Sequence, residues 1–183
     1  MENFRLKSTK LYTILLFSLF FVTVAVAQSD EKKKEIIKDA KEAKTAFLKA
    51  DPEMVNFFET SYGYVIFPNV GKGGLGVGGA AGNGAVWQQG KLIGTAKLKQ
   101  ISIGFQAGGQ AYREVIFFEK DEDLSRLKAN KVEFSAQVSA VAVASGVSAD
   151  AKYSDGVLVF TMAKGGLMYE ASVGGQKFKF KRL

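Results

Sequence analysis

Ten basic side chains are the groups in this sequence whose type and spacing could do chemistry, and the chemistry they suggest is attraction of negative charge. Lys32, Lys33, Lys34, Lys38 and Lys41 crowd one segment, Lys72 stands in a glycine run, and Lys177, Lys179, Lys181 and Arg182 close the chain. Proton transfer and nucleophilic attack have little to work with, because none of the 183 residues is cysteine or histidine. That excludes disulfides, thiolate nucleophiles, thiolate zinc sites, an imidazole base and the usual nitrogen ligand of zinc or copper. An enzyme would have to use carboxylates, lysine, tyrosine or serine. Glu114, Glu133 and Asp155 are the acids in strand-like surroundings, and two of them facing one another in a cleft would make a hydrolase. No catalytic constellation is visible, so the sequence predicts a non-enzyme that needs no metal or cofactor.

Other motifs do not change that expectation. Residues 71–84, GKGGLGVGGAAGNG, hold eight glycines and match the dinucleotide fingerprint literally. The fingerprint works only where a helix follows and an acid lies about 20 residues on. Here Ala85-Val86-Trp87 follows, and no Asp or Glu occurs between Glu59 and Glu114. Structural glycines that let strands bend or pack closely are the simpler reading, with a phosphate nest of backbone amides beside Lys72 as the alternative. The acids of Glu119–Asp123 lack the spacing of a calcium loop and read as a solvated helix start. Two Ser-x-x-Lys strings, Ser29–Lys32 and Ser125–Lys128, lack the companion motifs of an acyl-enzyme.

The elements that must position these groups are legible in outline. Arg5, Lys7 and Lys10 precede an uncharged stretch from Leu11 to Ala27 that ends in Ala25-Val26-Ala27. These are the three parts of a secretory signal peptide, so the expectation is cleavage before Gln28 and an exported, periplasmic or secreted chain. A transmembrane anchor is the alternative, with the run at the short end of the spanning range. Residues 28–183 then form a single domain of net charge +5, reduced from +7 for the whole chain. A basic exported protein points to an anionic membrane surface or envelope polymer and away from nucleic acid.

Ile36, Ala40, Ala43, Phe47 and Ala50 recur at spacings of four and three, one apolar stripe of a helix. Its lysines fill a broad sector. Asp51-Pro52 reads as a cap with proline in the first helical turn, and a short helix through Phe57 and Phe58 ends near Thr60. After Gly63, short β-rich runs alternate with glycine: 64–67, 74–79, 85–87, 92–98, 101–105 and 114–118. A short helix at 121–128 interrupts them, and strands resume over 132–147, 157–161, 167–173 and 177–180. The fold class expected is α+β, with a glycine-rich, strongly curved or barrel-like antiparallel sheet and two N-terminal helices packed on it. Period two in the tail places Lys177, Lys179 and Lys181 on one side and Phe178 and Phe180 on the other. Such a strand is either an edge protected by lysines or a basic strip for anionic headgroups. A faint internal echo relates 63–75 to 156–167, aligning Phe67 with Phe160.

The strings Gly63-Tyr-Val-Ile-Phe-Pro68, Lys72-Gly-Gly-Leu-Gly-Val-Gly-Gly79, Gly82-x-Gly84, Gly104-Phe-Gln-Ala-Gly108 and Lys164-Gly-Gly-Leu167 followed by Gly174-Gly175 occur in an order that resembles the SYLF family. The resemblance covers roughly 30–183. It implies binding of phosphoinositide or other anionic lipid, partly through a basic N-terminal helix, with Lys32, Lys33, Lys34, Lys38 and Lys41 in that place. Actin, a partner of eukaryotic relatives, is not expected for an exported bacterial member. The alternative is a structural or partner-binding envelope protein without lipid specificity. It predicts an exposed apolar patch without convergent lysines.

Overall fold

The computed structural model describes residues 30–131, 133–134 and 141–183. The expected signal peptide and its cleavage site lie outside the described residues. The chain divides into two compact units, Met1–Glu35 and Ile36–Leu183. In the first, residues 30–35 are helical, and Lys33 Nζ pairs with Asp30 at 3.2 Å.

The second unit is α+β. Helix α1 (residues 36–50) is followed by a 3-10 turn at Pro52–Met54 and by α2 (Val55–Thr60). Then come β1 (Gly63–Gln88), β2 (Lys91–Phe118), α3 (Asp121–Lys128), β3 (Glu133–Phe134), β4 (Val141–Ala142), a 3-10 turn at Val147–Asp150 and β5 (Val157–Arg182). The sheet order is β1-β2-β5-β3, with β4 also on β5. Every pairing is antiparallel except the two-residue match of β4 with β5. The sheet does not close, which corrects the barrel-like expectation.

Three very long strands replace the many short ones expected. The short-strand reading takes the glycines as turns, which need positive φ. In the run 71–84 every residue is in strand, and none of its described glycines has positive φ. Among the described glycines of the run, none supplies the alternating hand that a phosphate nest needs. These glycines instead serve close approach. A Cβ on Gly84 would lie 2.5 Å from the Ile66 carbonyl oxygen, and one on Gly82 would lie 2.9 Å from that of Asn69. The two halves of β1 therefore lie against each other at backbone distance. The true turn is Gln89-Gly90, with φ of 47° and 74°, a pair of left-handed residues that suits a tight hairpin. Of the strand expected over 132–147, β3 and β4 are observed, and residues 132 and 135–140 lie outside the described residues. Gly146, at φ 77°, instead starts the 3-10 turn.

Alternation along the strands sorts the core into two faces. Tyr64, Ile66, Ala85, Trp87, Val115, Phe117, Leu158 and Phe160 meet Ala40, Ala43 and Phe47 of α1 and Phe58 of α2. We call this the α1 face. The helical stripe expected from Ile36, Ala40, Ala43 and Phe47 is thus committed to the sheet. Trp87 stacks on Tyr64 with ring centroids 5.2 Å apart. On the opposite, α3 face, Val65, Phe67, Val86, Leu98, Ile116, Phe118, Val159 and Phe178 pack with Leu124 and Leu127. The echoing segments flank β2, but Tyr64 and Leu158 share the partner Phe117, one residue out of step with the echo. Phe67 and Phe160 consequently point to opposite faces.

Asp51 joins the N-terminal helices to the rest of the chain. Its Oδ1 accepts the Glu53 N–H at 3.2 Å, the expected cap, and its Oδ2 accepts the Ser148 N–H at 2.9 Å. Burial opposes ionisation of this carboxyl, but the amides of Ser148 and Glu53 outweigh it and hold its pKa below the ordinary value.

Candidate functional site

Phe178 is buried in the core of the α3 face, so its neighbours Lys177 and Lys179 must emerge on the α1 face, with Lys181 next in step. The tail alternates as its sequence suggests. What surrounds it is new. Lys179 is the direct cross-strand partner of Lys97, and Lys177 that of Lys99. Leu98, between Lys97 and Lys99, is buried in the same core as Phe178. Five exposed lysines, Lys97, Lys99, Lys177, Lys179 and Lys181, therefore share one face of two adjacent strands.

Like charges directly opposite on a sheet destabilise it. Lysines that guard an edge would account for residues 178–182, which among the described residues pair only with β2. That account does not reach Lys97 and Lys99, because β2 is hydrogen-bonded on both sides. On the β1 side their partners are Asn83 and Ala81, which bring no negative charge. Backbone register sets Glu133 of β3 beside Lys177 alone.

The remaining expected residues divide. Lys38 and Lys41 are exposed on α1, which packs on the same face as the lysine rungs, and Lys38 stands 3.9 Å from Glu42. Lys32, Lys33 and Lys34 belong to the first compact unit. Two of the expected residues lie on the other face. Arg182 pairs with Gly94 one step beyond Lys181, so alternation turns it to the α3 face. Lys72 pairs with Gln110, two steps from the buried pair Val70 and Tyr112, and it too lies on the α3 face. Lys44 is not a surface cation either. Its Nζ lies 4.5 Å from the Phe58 ring centroid and 3.4 Å from the Tyr64 hydroxyl, and burial lowers its pKa against the pull of Glu59. Lys97 and Lys99 are the residues that sequence reasoning misses. Their alternation about Leu98 is the same signal that marks the tail, but partnership across strands is not written in spacing.

Lys72 lines a cleft of about 460 Å³ on the α3 face, together with Gln100, Gln110, Tyr112, Glu114 and Gln176. Glu114 is 1% exposed. Its Oε2 accepts the Gln176 side-chain N–H at 3.1 Å, while its Oε1 has no partner. Burial pushes its pKa up to about 7, against the opposing influence of Gln176 and Lys72. Glu114 is the one carboxylate lining this cleft among the described residues. Among the described residues, no cluster of acids is suited to hold a metal ion, and no helix is long and apolar enough to cross a membrane.

Comparison with known families adds one match. Residues 99–182, just under half of the chain, match the family model described as Ysc84, Las17-binding protein actin regulator. This is the family that the glycine-rich strings resemble, and the matched part runs from Lys99 through α3 to the end of β5. No curated protein matches the chain.

Proposed function

With the Ysc84 match of residues 99–182 as premise, we propose that the protein is a peripheral, non-enzymatic binder of anionic membrane surfaces. The α1 face of β2 and β5 is the binding face. What carries this function is the gathering of Lys97, Lys99, Lys179 and Lys181 on one face of β2 and β5, with Lys97 and Lys179 set directly opposite one another at an electrostatic cost. A negative surface relieves that cost. Each lysine near such a surface contributes about 1 kcal/mol, so the rungs with Lys181 supply about 5 kcal/mol, or a Kd of about 0.2 mM. Lys38 and Lys41 add to this where α1 reaches the same surface. The chemistry recognised is negative charge density, not one particular headgroup.

The alternative is a protein partner, in the direction of the family's description as a Las17-binding actin regulator. It favours an apolar patch free of lysines. The exposed apolar side chains Leu75, Val77 and Ile101 instead share a face with the lysine rungs, which supports the lipid reading. Flotation with phosphatidylcholine vesicles, with and without phosphatidylglycerol, separates the two. The expected result is flotation only with the anionic lipid, abolished by high salt. Equal flotation with neutral vesicles, or none with either, removes the proposal.

A further inference from the structure

Beyond the lysine rungs, β2 continues to Ile101, which is 70% exposed although its strand is paired on both sides. The reason lies in its neighbours. Its cross-strand partners are Gly79 on β1 and Gly175 on β5, so no side chain flanks it directly on either strand. Val77, paired with Ile103, is 62% exposed, and Leu75, paired with Ala107, is 84% exposed. Lys97, Lys99 and Ile101 alternate with buried Leu98 on β2, and on β1 Val77 and Leu75 are out of step with Ala80 and Val70 of the α3-face core, so these three apolar residues share the α1 face with the lysines. An interior strand that exposes isoleucine beside two glycines gives up burial that almost any larger neighbour would have provided.

We propose that this apolar tip, Leu75, Val77 and Ile101, inserts into the bilayer while Lys97, Lys99, Lys177 and Lys179 engage the headgroups. Strand geometry supplies the depth. Ile101 lies about 7 Å beyond Lys99 along β2, at about 3.3 Å per residue, and β1 bends sharply through Leu75 and Val77, where a Cβ on Gly74 would run into the Gly78 Cα. An apolar group that enters about 5–10 Å past the headgroup boundary sits where interfacial segments place theirs. The adjoining cations select the occupant: a bilayer offers negative charge and hydrocarbon in that order, at that separation. This inference rests on the proposed lipid function and adds to it a mode of seating. Charge brings the protein to the surface, and the tip holds it there.

The test introduces tryptophan at the tip of the full chain, Leu75→Trp, against the native Trp87, which is buried. A control carries Glu122→Trp on exposed α3. With phosphatidylcholine–phosphatidylglycerol vesicles, Leu75→Trp emission shifts to the blue and is quenched by lipids brominated on the acyl chain. The control does neither. The triple variant L75S/V77S/I101S alters only exposed side chains, so it folds. It still associates at low salt, with affinity lower by about tenfold for each residue fully inserted. Wild-type flotation without a shift or quenching at Leu75→Trp overturns insertion and leaves the lysine face standing. Absence of any wild-type association overturns both. Self-association of the wild type without vesicles, lost in the triple serine variant, assigns the tip to a second copy and overturns insertion.

Discussion

Glu114 and Asp51 show how differently this fold treats two buried carboxyls. Asp51 receives backbone N–H donors on both oxygens and stays ionised. Glu114 has one amide donor, and its pKa rises to about 7 from an ordinary 4.5. A raised acid gives stability that is complete below the unfolded pKa and is lost as pH rises toward the folded one. The wild type should therefore lose about 3 kcal/mol relative to Glu114→Gln between about pH 4 and about pH 8, with no further change above that. Urea midpoints of the two proteins across that range check this. Parallel curves mean that Glu114 ionises freely. For Asp51 the sign reverses: its contribution is present above the ordinary carboxylate pKa and fades as pH falls through the depressed one. Asp51→Ala removes a cap and leaves the Ser148 N–H buried without an acceptor, which costs about 3 kcal/mol in thermal or chemical unfolding at neutral pH.

At the scale of elements, the lysine rungs make a prediction that the tail alone does not. If the tail lysines were merely an edge guard, changes on interior β2 would leave vesicle binding untouched. On the present account, Lys97→Glu with Lys99→Glu weakens partition onto anionic vesicles by at least about a hundredfold, since two cations are lost and two anions gained. The same pair should not destabilise the protein, because each glutamate then faces a lysine across the strand, Lys179 or Lys177. A rise in urea midpoint together with a fall in binding is the expected signature. The helices were readable from sequence because their signals are local: Asp51-Pro52 caps, the 36-40-43-47 stripe packs, and Asp121–Lys128 is a helix. The sheet's continuity was not. Glycine at 71–84 signals a turn or a close approach with equal force, and only the contact of Gly84 with the opposing Ile66 backbone decides between them.

At the scale of the whole molecule, one face of the sheet carries two kinds of surface in sequence along β2. The packed core under α1 lies beside it, then the charged rungs, then the exposed apolar tip. The alternation that defines each strand was visible in the tail, so the orientation of Lys177, Lys179 and Lys181 was legible. Register between distant strands was not, and it is register that adds Lys97 and Lys99, sets Lys72 on the other face, and aligns the tip with the lysines. The most direct measurement is partition of the full chain onto phosphatidylcholine–phosphatidylglycerol vesicles, set against a variant with Lys97, Lys99, Lys177 and Lys179 all changed to glutamate. The wild type should bind in a salt-sensitive way and the variant not at all, with both proteins cooperatively folded. Equal binding by the two would contradict the proposed binding face and return these lysines to the role of a solvated face.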